Sequence, residues 1–109
     1  MFKVKGKITS GNLFFILPAE SDECIPERLT CKSLTGYADY EKDITADVGA
    51  KWSTVAIDFR KDLSQPYWTA SNAKIDIERV LEDVHLLKWQ YKNGLGEPIE
   101  LWIADVQLY

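Results

Sequence analysis

Histidine, cysteine and methionine are scarce in this chain: one His, two Cys and one Met among 109 residues. A single imidazole and two thiols cannot assemble a structural zinc site of four nitrogen and sulfur ligands. Long hydrophobic runs are missing. The longest, Leu13 to Leu17, is about a quarter of what a membrane-spanning helix needs, so no membrane span is expected. Basic side chains are in the minority, 13 against 17 acids for a net charge of −4. That is the wrong sign for a surface that binds phosphates by releasing counterions, and nucleic acid is not an expected partner. A glycine-rich phosphate loop is also absent, because Gly94-Leu95-Gly96 lacks a third glycine and a following helix. Met1 to Lys7 contains no apolar leader segment, which predicts either a cytosolic chain or a piece of a longer precursor rather than an intact secretory one.

What is present is the composition of one globular domain spanning 1–109, 46% apolar and 28% charged. Aromatic residues make up 12%, four of them Trp, a large supply of flat amphipathic surface for so small a chain. Segments of alternating polarity separated by turn residues predict an all-β fold. Phe2 and Val4 alternate with lysines up to Gly6, and Asn12 to Leu17 is a short apolar strand ending at Pro18. The clearest strand runs from Trp52 to Phe59, with Val55, Ile57 and Phe59 on one face and Thr54, Ala56 and Asp58 on the other. Between Ile75 and Asp83 a helical turn competes with strand. Leu87, Trp89 and Tyr91 alternate with Lys88 and Gln90, and Asn93 to Gly96 is a turn. Ile99, Leu101 and Ile103 form the last strand, where the change of parity at Ala104-Asp105 predicts a β-bulge.

Cys24 and Cys31 lie in a polar segment at a spacing that suits a local disulfide. A ring of about eight residues would add on the order of 2.5 kcal/mol and would imply an oxidising compartment. Two reduced cysteines that are merely close in sequence is the alternative. A Ser-His-Asp or Cys-His set would need His85, which sits in a strand pattern without a nucleophile elbow. The many acids leave carboxylate pairs open to counting, but a domain this small would hardly wall off a sugar from water, and no enzyme is expected.

Four stretches together resemble a known pattern: Phe2-Lys3-Val4-Lys5-Gly6; Lys51 to Phe59; Leu63-Ser64-Gln65-Pro66-Tyr67-Trp68; and Leu86 to Tyr91 followed by Leu101 to Val106. The chain resembles the C-terminal two-thirds of jelly-roll carbohydrate-binding modules of the galactose-binding-domain-like superfamily, which accompany plant-cell-wall hydrolases. The resemblance implies an antiparallel two-sheet β-sandwich lacking N-terminal strands, which an upstream segment or a second chain supplies unless this is a naturally shortened version. It implies a secreted accessory domain linked to a glycoside hydrolase and binding a β-glucan-type polysaccharide. Oxygen ligands from loops and strand ends suffice for calcium, which makes Asp105, Glu20, Asp22 and Glu23 candidate donors; the structural calcium of related modules joins the closing strand to an upstream N-terminal loop. Solvated surface acids are the other reading of all four, and no other cofactor is implied.

In a jelly roll one concave sheet faces the ligand. Strand parity then sends Thr54, Asp58, Lys88, Gln90 and Trp102 outward, with Trp102 as the stacking platform. Trp52 and Trp89 are read as structural, while Trp68, Tyr37 and Tyr40 are candidates at the rim. The competing reading is a structural or protein-interaction β-sandwich that binds no sugar.

Overall fold

A computed structural model of the chain describes residues 1–18, 39–69, 74–82, 84 and 86–108. Among the described residues six strands dominate: β1 (Phe2–Lys7), β2 (Asn12–Leu17), β3 (Tyr40–Asp43), β4 (Ser53–Val55), β5 (Lys88–Lys92) and β6 (Glu100–Ala104). The described residues also include two short helices, α1 (Phe59–Asp62) and α2 (Ile77–Leu81), and a 3-10 turn at Thr45–Asp47. The strands form two antiparallel three-stranded sheets, ordered β4-β1-β6 and β3-β2-β5, and the fold is all-β. Among the described residues no helix is long and apolar enough to cross a membrane.

Two compact units divide the chain. One comprises Met1–Phe15, Asp43–Asp58 and Trp89–Tyr109; the other comprises Ile16–Lys42 and Phe59–Lys88. In the first unit β1 is the central strand of its sheet. It pairs Phe2 with Val55 and Val4 with Ser53 on one side, and Val4 with Ile103 and Gly6 with Leu101 on the other. Its alternation sends Phe2 and Val4 inward, where both are buried. Phe2 meets Phe15 of β2 in a stacked contact at 5.7 Å, and both rings meet Trp89 of β5 edge-on at 5.2 and 5.5 Å. Nearby, Asp43 organises the turn into the 3-10 segment: its carboxylate accepts bonds from Thr45 N, Thr45 Oγ1 and Asn12 Nδ2. Thr45 Oγ1 in turn accepts from Leu13 N.

The second unit holds the helices. Asp76 caps α2 by accepting from Glu78 N at 3.2 Å, and this cap decides in favour of helix where the sequence pattern allowed either form. Arg60 of α1 holds Glu78 of α2 through two hydrogen bonds. That hydrogen bond lowers the Glu78 carboxyl below its ordinary value.

The strand expected from Trp52 to Phe59 is shorter than its pattern, ending at Val55, with Phe59 opening α1 instead. Val55 faces Phe2, and beyond it Met1 exchanges both backbone bonds with Gln107 at 2.8 Å. That exchange accounts for the bulge, because Lys3 faces Ala104 while Met1 faces Gln107, leaving one extra residue on the later segment. Asp105, at φ 54°, absorbs it.

Candidate functional site

The outward face of β1 is a row of lysines, since Lys3, Lys5 and Lys7 occupy the alternate positions to Phe2 and Val4. Antiparallel pairing sets each beside a residue of β6: Lys3 opposite Ala104, Lys5 opposite Trp102 and Lys7 opposite Glu100. On the β4 side Lys3 faces Thr54, and Trp52 immediately precedes the strand. The Lys5 ammonium lies 5.0 Å from the centre of the Trp52 ring and 5.2 Å from that of Trp102, so one cation contacts two indoles. Both tryptophans stay about half exposed, at 46% and 49%, and they offer flat apolar surface on one sheet face.

Beside this trio runs an open groove of about 560 Å³, floored by Gly6 and bordered by Lys5, Lys7, Ile8, the 48–50 loop, Glu100 and Trp102. Gly6 N donates to Gly49 O at 2.8 Å, which ties the loop to the sheet. Lys3 pairs with Asp105 at 3.3 Å. Among the described residues Lys5 and Lys7 make no ion pair.

The parity expectation holds for Trp102 and Thr54, which both face outward on the β4-β1-β6 sheet. The single outward face imagined for Thr54, Asp58, Lys88, Gln90 and Trp102 needs correction. Lys88 and Gln90 lie on β5 in the other sheet, and Asp58 lies past the end of β4. Parity along a strand is a local property, whereas the assignment of strands to sheets is set by long-range pairing. Gln90 is exposed, and Lys88 is half-buried and paired with Asp39 at 3.8 Å. Lys5, Lys7 and Glu100 were missed although the Lys-x-Lys-x-Lys alternation of β1 was visible, and Trp52, read as structural, stands in the open.

Comparison with protein-family models, with curated proteins and with solved structures found no match to this chain. The remaining expectations are therefore weighed on the geometry. Among the described residues no three His, Cys, Asp or Glu side chains gather as a metal site, and Asp105 spends its carboxylate on Lys3. Cys24, Cys31, Tyr37, His85 and the acids Glu20, Asp22 and Glu23 lie outside the described residues.

Of the other candidates, Tyr40 lines a second depression, of about 480 Å³, in the second unit, together with Gln65, Tyr67, Lys74 and Asp76. Tyr40 donates its hydroxyl to Ile75 O at 2.5 Å, and Gln65 Oε1 accepts from Ile75 N at 3.1 Å. Burial first and the nearby Asp76 second raise the Tyr40 phenol above its ordinary value. Trp68 is exposed in the adjoining turn, which Thr69 closes by donating its N–H and hydroxyl to Pro66 O.

Proposed function

We propose that this protein is a non-catalytic glycan-binding module, built as a β-sandwich of jelly-roll type, that seats a sugar ring on Trp102. One observation carries the reading: Trp52 and Trp102, both about half exposed, flank Lys5 on a sheet face that borders an open groove. The apolar face of a pyranose stacks on an indole, while ammonium and carboxylate groups nearby serve its hydroxyls; Lys5, Lys7 and Glu100 supply these. The Phe2, Phe15 and Trp89 contacts between strands of the two sheets support the sandwich. On this reading the partner is a polysaccharide in an extracellular setting and catalysis belongs to a linked hydrolase domain.

Stacking one ring removes about 100–150 Å² of apolar surface from water, roughly 3 kcal/mol before ordering costs. Two or three polar contacts add on the order of 1 kcal/mol each, which predicts a Kd of about 10–1000 μM. Avidity through a linked domain would then set retention on a polymer. Affinity electrophoresis through gels carrying soluble polysaccharides, β-glucans included, tests the reading. Retardation that is abolished in Trp102→Ala, with the variant's urea unfolding midpoint unchanged, is the expected result. Unchanged mobility of the folded protein in every gel refutes it and favours a protein-interaction role for the same face.

A further inference from the structure

The charge around Trp102 narrows the class of glycan, an inference that rests on the binding reading above. Across the outward face of the sheet, Lys3 is neutralised by Asp105 at 3.3 Å. Lys5 and Lys7 are not: neither makes an ion pair among the described residues, although Glu100 stands directly opposite Lys7 in the ladder. Two free ammoniums therefore share one groove with a single carboxylate, on a chain whose overall charge is −4. This local excess of positive charge opposes the sign of the whole molecule.

The placement of Lys5 adds a direction. Its ammonium is held over two indoles at 5.0 and 5.2 Å, contacts that fix the amine but use none of its three hydrogen-bond donors. A neutral sugar hydroxyl is a modest acceptor for such a group, whereas a carboxylate forms a charge-assisted bond roughly twice as strong. With the ammonium over the half-exposed indoles, the arrangement matches a uronic acid: a ring whose C–H face meets the open part of an indole and whose carboxylate, projecting from the ring edge, meets the ammonium.

We infer that the Trp102 groove selects glycans built from uronic acids, with Lys5 and Lys7 receiving the sugar carboxylates. The net negative charge of the protein repels a polyanion at long range, so retention must come from this local patch. The interaction weakens as salt shortens the screening length from about 14 Å at 0.05 M to about 4 Å at 0.5 M.

The test compares polygalacturonate with the same polymer after chemical reduction of its carboxyl groups, alongside a neutral β-glucan, in affinity gels run with the whole chain. The acidic polymer is expected to retard the protein with an apparent affinity roughly tenfold above that of its reduced form. Lys5→Gln and Lys7→Gln should erase that difference, whereas Lys42→Gln, the same charge change on β3, should keep it. Circular dichroism of each variant confirms folding. Equal retardation by acidic and reduced polymer, or by the neutral glucan alone, overturns the uronate assignment and leaves sugar stacking standing. No retardation by any polymer overturns both.

Discussion

Placing a methyl group on Gly6 is the sharpest perturbation the fold offers, because this residue is where sheet and groove meet. Gly6 pairs with Leu101 of β6 at φ 156°, a backbone conformation that side chains rarely adopt. A Cβ built there collides with the carbonyl oxygen of Glu100, lies 2.8 Å from that carbonyl's carbon and 3.1 Å from Leu101 Cα. All three atoms are backbone, so no rotamer change makes room. Relief requires β1 to draw away from β6, which threatens the Gly6 N to Gly49 O bond and the ladder bonds beside it. Backbone strain costs about 1–3 kcal/mol, and each hydrogen bond lost costs on the order of 1 kcal/mol. Gly6→Ala should therefore destabilise by roughly 3–5 kcal/mol, a large share of the total for a domain of this size.

The assay is urea unfolding followed by tryptophan fluorescence, with Gly49→Ala as the control. A Cβ on Gly49 meets nothing within 4 Å, so that variant should stay within about 1 kcal/mol of the parent. A Gly6→Ala variant that loses less than about 1 kcal/mol refutes the close approach of the two strands. If it remains folded but displaced, its gel retardation should fall as well, since Lys5, Lys7, Glu100 and Trp102 are all positioned by this ladder.

Two further substitutions probe the interior. Trp89 buries an indole N–H with no acceptor among the described residues, so Trp89→Phe, which keeps the contacts with Phe2 and Phe15, should cost under about 1.5 kcal/mol in urea unfolding while Trp89→Ala costs about 3–5. Equal losses from the two would mean that the N–H is satisfied. The Tyr40 phenol is raised above 10.0 by burial and then by Asp76; a raised acid contributes stability that is intact below pH 10.0 and is lost as pH climbs through the folded value. Tyr40→Phe should flatten that alkaline decline in pH-dependent unfolding, and a wild-type slope in the variant would assign the decline to other groups.

The parts of this fold that follow a period of two were legible in the sequence, and those fixed by long-range pairing were not. Phe2 and Val4 inward against Lys3 and Lys5 outward, and Trp102 outward on β6, follow from alternation alone. The parity change at Ala104-Asp105 announced the bulge that the Met1–Gln107 exchange now explains. By contrast, Ile57 and Phe59 continue the alternation of β4 in sequence, yet the strand ends at Val55 and Phe59 opens α1. Gln90 has the right parity on β5, yet β5 belongs to the other sheet. The Lys5 site escaped notice because its partners are some 47 and 97 residues away along the chain, a proximity created only when β1 is flanked on both sides.

One strand therefore carries both halves of the design, and this couples affinity to folding. Phe2 and Val4 anchor β1 in the core, and the same register holds Lys5 between the indoles. A slip of one residue would expose Phe2 and Val4 and drive Lys3 and Lys5 inward, burying ammoniums without partners at a cost of several kcal/mol. Gly6 opposes the slip as well, since no other residue at its position clears the Glu100 carbonyl. The lysine row is thus placed before any ligand arrives, so that under the proposed glycan-binding function a docking sugar would have little ordering of the sheet to offset. Weakening the inward face should loosen the groove before the chain unfolds. Retardation in gels should then fall at urea concentrations below the unfolding midpoint for core variants such as Val4→Ala, while Trp102→Ala loses binding with its midpoint intact.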